Sequence, residues 1–146
     1  MVDPLRSKNM AAVRSKDTTP ELLLRKALFS KGFRYRLYVK GIPGSPDIVL
    51  SKYNAVIFVQ GCFWHGHKGC KKFSIPKTNT AFWQKKIHDN ICRDTFVRDN
   101  LLNSGWRVLW VWQCALANKK RLNKTIEKIV SWLKSSNDYL EIAAES

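Results

Sequence analysis

Cys62, His67 and Cys70 follow the spacing Cys-x4-His-x2-Cys, so one loop can place three donors around a single ion. Thiolate and imidazole are the ligands a tetrahedral zinc prefers. The fourth donor must come from elsewhere. Cys92 and Cys114 are the candidates, and Cys114 is favoured because it follows the apolar run Val108-Leu109-Trp110-Val111-Trp112, whose strand end can hold it against the loop. Cys92 is then expected to be a packing residue. His65 lies inside the ligand loop and is left free for other work, beside two large aromatics, Phe63 and Trp64.

A second chemistry centres on Asp47, which follows Pro46 and opens the apolar segment Ile48-Val49-Leu50. A carboxylate at the start of a strand, paired to a second buried strand about a dozen residues on, is how several nucleases hold a divalent cation at the rim of a sheet. Magnesium is a hard ion that takes oxygen ligands and keeps several waters. The partner strand ends at Val59-Gln60, neither of them acidic, so a second protein ligand there would be the Val59 backbone carbonyl.

The chain has 146 residues, the size of one compact domain. Against 26 Lys and Arg stand only 11 Asp and Glu, a formal net charge of +15. Such an imbalance creates a positive field whose commonest macromolecular partner is a polyphosphate backbone. No apolar run approaches the roughly 20 residues of a membrane-spanning helix, and no N-terminal stretch resembles a signal peptide. The expectation is a cytoplasmic, nucleoid-associated chain without a membrane partner, where cysteines read as metal ligands rather than as disulfides.

These residues need elements to position them. Residues 1–18, with Arg6, Lys8 and Met10, read as a basic arm, and residues 19–146 as a single domain. Thr19 as a cap, Pro20 in the first turn and Glu21 at the positive end of the dipole predict a helix whose buried face runs from Leu22 to Leu28, ended by Gly32. Phe33 to Leu37 alternates like a half-exposed strand. Asp47–Leu50 and Ala55–Val59 predict a hairpin-like strand pair. Thr80 to Asn103 carries a long helix, stopped by Ser104-Gly105 before a strand over Trp106–Trp112, and Lys120 to Lys134 a last amphipathic helix. The plan is α/β: a small mixed central sheet flanked by helices.

Taken together, Arg6-Ser7-Lys8-Asn9-Met10, Pro43-Gly44-Ser45-Pro46-Asp47, Val56-Ile57-Phe58, Gly61-Cys62-Phe63-Trp64-His65, Phe82-Trp83, Asn90 with Arg93-Asp94, Gly105-Trp106-Arg107-Val108-Leu109 and Trp112-Gln113-Cys114-Ala115-Leu116 resemble the bacterial very-short-patch-repair (Vsr) DNA mismatch endonucleases. The resemblance covers roughly residues 6 to 117. It implies a restriction-endonuclease-like fold, a structural zinc, magnesium-dependent hydrolysis, and a nick 5′ to the thymine of a T:G mismatch, the lesion left when 5-methylcytosine deaminates. Carried over by position, Asp47 looks like the magnesium-binding aspartate and His65 like the active-site histidine. Glu21 and Asp94 match auxiliary acidic residues, expected to orient His65 or metal-bound water. Cys62, His67, Cys70 and Cys114 look like the zinc set, and Phe63 and Trp64 like the aromatic wedge, with Met10 approaching from the arm. Two departures stand out: Val59-Gln60 replaces a threonine and a histidine, and Lys68-Gly69 makes the ligand loop one residue longer. A mismatch is asymmetric, so a monomer on double-stranded DNA is expected. The competing readings are a restriction- or homing-type nuclease on the same scaffold, a non-catalytic zinc-stabilised DNA-binding module, and an RNA-processing nuclease.

Overall fold

A computed structural model describes residues 19–63, 65–67, 70 and 74–144. The basic arm with Arg6, Lys8 and Met10 lies outside the described residues, as does Trp64. The elements are α1 (Thr19–Ser30), β1 (Ile48–Leu50), β2 (Ala55–Gln60), α2 (Thr80–Asn103), β3 (Arg107–Trp112), α3 (Lys119–Leu133) and β4 (Tyr139–Ile142).

The four strands form one mixed sheet in the order β1-β2-β3-β4, with β1 antiparallel to β2 and the rest parallel. Alternation along the strands divides the core. Ile48, Ile57, Leu109 and Val111 face α1 and α3, whereas Val49, Val56, Val108 and Trp110 face α2. This is the expected α/β plan, with helices on both faces. Because β2, β3 and β4 run the same way in sequential order while α2 and α3 cover opposite faces, the two crossovers have opposite hands. One of them departs from the right-handed preference of parallel connections.

Helix α1 includes Thr19 and buries Glu21, Leu24 and Leu28 rather than the whole Leu22 to Leu28 stretch. Leu22 and Leu23 are 38% and 40% exposed, since only residues three and four apart share a helical face. Gly32, at φ +92°, ends the helix in the left-handed conformation, and the Phe33 amide donates back to the Leu28 carbonyl at 3.1 Å. The strand expected over Phe33–Leu37 is reduced to one bridge, Arg36 opposite Val49. β1 is only three residues long and the chain turns at Tyr38, φ +55°, so no longer ladder can form. The hairpin and the long helix are as expected. The β4 strand was not anticipated: its four residues are too short a pattern to read beside the helix that precedes it.

Arg107, at the start of β3, ties the sheet to the end of α3. Its guanidinium donates to the carbonyls of Trp132 (2.5 Å), Ser135 (3.0 Å) and Leu133 (3.2 Å), its Nε donates to Asn137 (3.1 Å), and it lies 4.4 Å over the Trp132 ring. These carbonyls belong to the turn where a helix runs out of internal partners. Arg107→Ala is expected to cost about 2–3 kcal/mol, a fall of roughly 5–10 °C in Tm, and Arg107→Lys to recover little of it because the planar fork is lost. Thermal melts of the three proteins check this; equal Tm values for wild type and Arg107→Ala would discard the clasp.

Candidate active site and metal centre

Asp47 sits just before β1, where its backbone amide still donates to the Ile57 carbonyl at 3.1 Å. Its Oδ2 accepts from the Val59 amide at 2.6 Å, fixing the carboxylate against the end of β2. In an extended strand the N–H and C=O of one residue point the same lateral way, so the Val59 carbonyl also faces the Asp47 edge. Glu21 of α1 is 6% exposed and hydrogen-bonds the Asp47 side chain. Burial, opposed by the Val59 amide and reinforced by the neighbouring charge and hydrogen bond of Glu21, pushes the Asp47 carboxyl up to about 7, with Arg25 pulling it down. Two buried carboxyl groups beside a backbone carbonyl form an oxygen-rich corner that is unfavourable without a proton or cation, which is the donor set a hard divalent ion fits.

Facing that corner, the His65 Nδ1 lies 2.6 Å from Asp94 Oδ2. Asp94 therefore holds Nδ1 and leaves Nε2 for chemistry. Of the two auxiliary acids, Glu21 meets Asp47 and Asp94 meets His65. The His65 amide donates to the Gly61 carbonyl at 3.1 Å, folding the loop back on itself. Gly66, at φ +62°, is buried, and a side chain there would meet Ile87 at 2.7 Å and Ile91 at 2.8 Å, so the loop lies flush on α2. Asp47, Val59, His65 and Asp94 line one cleft of about 830 Å³. Tyr38 and Lys40 line it on one side and Asn90 and Arg93 on another. No role was assigned to these four from sequence. The signal for the last two was available: Asn90, Arg93, Asp94 and Val97 recur at one-face helical spacing on α2.

The donor atoms of Cys62, His67, Cys70 and Cys114 all lie within 4.8 Å of one another, close to the ~3.8 Å edge of a tetrahedron built on ~2.3 Å zinc–sulfur bonds. Cys114 Sγ is 3.6 Å from His67 Nδ1 and accepts from the Ala144 amide at 3.5 Å. Trp112 stacks on the His67 ring at 4.1 Å and 6°. Burial, and then the neighbouring Cys114, push the Cys62 thiol up to about 12 despite a favourable backbone contact. Burial also lowers His67, against the pull of Glu141, and so favours the neutral imidazole that ligates metals. Two buried thiols, a third sulfur and a neutral imidazole fit a tetrahedral soft-ligand ion. The longer Lys68-Gly69 connection does not keep Cys70 from the set.

Cys92 is outside this cluster, but the packing role expected for it is wrong. It is exposed on α2, with its sulfur 3.5 Å from His88 Nε2. The helix buries only Ile87 and Leu101, and position 92 falls on its solvent face. Phe63 is half-buried, its ring edge-on to Trp83 at 5.5 Å; Trp83 in turn meets Phe82, which is 61% exposed.

The sequence matches the family model of the DNA mismatch endonuclease Vsr over residues 2–72. It is 49% identical over 128 residues to the type II nicking enzyme V.NmeAIP of Neisseria meningitidis serogroup A, covering 85% of this chain and 91% of that one. Identity to V.XorIIP, a type II nicking enzyme of Xanthomonas oryzae, is 45% over 121 residues, covering 83% and 88%. The DNA mismatch endonuclease Vsr of Escherichia coli K12 is 42% identical over 130 residues, covering 88% of this chain and 83% of its own length. Identity of this extent, along a sheet-edge aspartate, a histidine–carboxylate pair and a Cys3His cluster in one framework, places the chain in the Vsr family of DNA mismatch endonucleases.

Proposed function

We propose that this DNA endonuclease nicks one strand of duplex DNA 5′ to the thymine of a T:G mismatch, by metal-assisted phosphodiester hydrolysis. One observation carries the reading: Asp47, pinned by the Val59 amide, shares a cleft with the His65–Asp94 pair, and the loop bearing His65 also bears Phe63. Asp47 and the Val59 carbonyl are the groups that would hold magnesium, which when bound activates water and neutralises charge on the leaving oxygen. His65 supplies a proton-transfer or hydrogen-bonding group at Nε2, oriented by Asp94. Glu21 holds the Asp47 carboxyl in place. A zinc ion in the Cys62, His67, Cys70 and Cys114 set would fix the loop rather than take part in the chemistry. Phe63 and Trp64 act as the wedge, Arg6, Lys8 and Met10 contact DNA from the arm at 1–18, and residues 19–146 work as one monomeric unit. A nuclease cutting matched DNA is the second reading, since the relatives named as type II nicking enzymes carry no mention of a mismatch in their names. Matched and T:G duplexes, each with and without magnesium, separate the two. No described helix is long and apolar enough to cross a membrane.

Asp47→Asn is expected to reduce nicking below about 1% of wild type while leaving mismatch affinity within roughly tenfold. The same change has a signed effect on stability. A carboxyl raised from 3.8 to about 7 in the folded chain contributes stability that is complete below pH ~4 and lost as pH rises through ~7. The metal-free Asp47→Asn protein should therefore be more stable than wild type at pH 8, by roughly 1–3 kcal/mol, with the gain shrinking toward pH 5. Nicking above a tenth of the wild-type rate would remove Asp47 from the chemistry.

Replacing Cys62 or Cys114 with Ala should abolish binding of one zinc per chain and lower Tm, whereas Cys92→Ala should do neither. Elemental analysis beside thermal melts decides it; a Cys114 variant that keeps its full complement of zinc leaves the set without its fourth member.

The wedge acts only where the duplex yields cheaply, whereas phosphate contacts add affinity to any sequence. Phe63→Ala with Trp64→Ala should shrink the ratio of T:G to matched binding far more than it weakens matched binding. Loss of Arg6 and Lys8 should weaken both and flatten the salt dependence. An unchanged ratio in the double aromatic variant, measured at fixed salt, means that this loop does not intercalate.

A further inference from the structure

We infer that Tyr38 and Lys40 form a second DNA-gripping rim, in which Tyr38 stacks on a nucleoside of the cut strand next to the scissile phosphate and Lys40 pairs with an adjoining phosphate. This rests on reading the cleft as the nicking site. Tyr38 and Lys40 line the same cleft as Asp47 and His65, on a different segment from the Phe63, Trp83 and Phe82 aromatics. The cleft, at about 830 Å³, lies in the size range of sites that enclose a small-molecule-sized group, enough for a phosphodiester with a flanking nucleoside.

The backbone of Tyr38 is the main observation. A bulky residue at φ +55° is an outlier that glycine or asparagine would adopt more cheaply. Tyr38 is 51% exposed, so the left-handed backbone does not serve to bury its ring in the core. The segment carrying it is nonetheless well anchored. Arg36 bridges Val49 just before it, Val39 and Ile42 pack against the core cluster under α2, and a side chain at Gly44 would collide with Val97. An aromatic ring and a cation on a rigid segment at the mouth of a cleft are what sequence-tolerant gripping of a nucleic-acid strand requires: a π face for any base and a charge for any phosphate. Preorganisation lowers the ordering cost on binding and makes the backbone strain intelligible.

The test uses the full chain in the Asp47→Asn background, with a T:G duplex carrying 2-aminopurine in turn at each nucleotide flanking the scissile phosphate. Intact Tyr38 should change the fluorescence at one flanking position. Tyr38→Ala and Tyr38→Gly should abolish that change and weaken binding about 5- to 100-fold, while Tyr38→Phe keeps both. Lys40→Met should lower the salt dependence by about one phosphate contact. Tyr38→Gly should melt no lower than its parent because it relieves the left-handed backbone. Unchanged fluorescence and affinity within twofold in Tyr38→Gly overturn the inference, as does a Tm loss of more than about 5 °C in Tyr38→Gly and Tyr38→Ala alike, which makes the residue structural. If the Asp47→Asn parent shows no preference for the T:G duplex, the proposed function fails, and this inference with it.

Discussion

Convergence of four donor atoms within 4.8 Å is the constraint on which the working end of the molecule depends. Among the described residues between β2 and α2 there is no strand or helix, yet this segment holds His65 and Phe63. Three of the donors lie in that segment. The fourth, Cys114, lies in the turn after β3, and the chain beyond β4 adds the Ala144 amide to the Cys114 sulfur. A single cluster thus fastens the loop to the ends of two parallel strands. Gly66 packs the same loop on α2, so the position of His65 is set from the cluster on one side and from Ile87 and Ile91 on the other. Burial raises the Cys62 thiol to about 12, so ligation by this sulfur requires a cation that displaces its proton.

Asp47 is placed by the opposite logic, with no loop to organise. The antiparallel register of β1 on β2 puts it opposite the end of β2, and the Val59 amide closes the geometry at 2.6 Å. The accompanying Glu21 comes from the buried face of α1, in register with Leu24 and Leu28. A carboxylate in that face is unfavourable for folding unless it has a partner, and its partner is the other carboxyl. The corner stores instability that a proton relieves in acid and a cation relieves at neutral pH. Stability and the proposed chemistry therefore compete at this corner, as backbone strain and the inferred grip do at Tyr38.

Sequence was sufficient wherever the signal was local. Period and punctuation defined α2 from Thr80 to Asn103, and the Asn54 turn between two apolar runs defined the hairpin. Ligand spacing singled out Cys62, His67 and Cys70, and the apolar run before it singled out Cys114. What escaped depended on partners distant in sequence. Phe33–Leu37 has the alternation of a strand, but only Arg36 finds a neighbour. Cys92 has the composition of a core residue, but its helix turns it outward. β4 exists because β3 has an open parallel edge and Leu140 and Ile142 reach the α3 side of the core, facts that four residues do not disclose. Which acid meets which base was equally hidden: nothing in the spacing says that Glu21 goes to Asp47 and Asp94 to His65.

Charge connects these parts. With only 11 acidic residues against 26 basic ones, three of the acids, Glu21, Asp47 and Asp94, line the same cleft. The surrounding positive field attracts a polyanion from beyond the ~8 Å screening length, whereas at contact distance the cleft itself presents carboxyl groups to the incoming phosphate. The cleft also carries Lys40 and Arg93, so repulsion of a phosphodiester is confined to the Asp47 and Glu21 corner, where a cation or proton offsets the carboxyl groups. Asp94 is already paired with the His65 imidazole, which leaves the Asp47 and Glu21 corner as the place where two neighbouring carboxyl groups meet the cleft. On the proposed function, DNA affinity and cleavage are separable properties of one molecule: the first rests on the basic surface and aromatics, the second on the Asp47 corner and the His65–Asp94 pair.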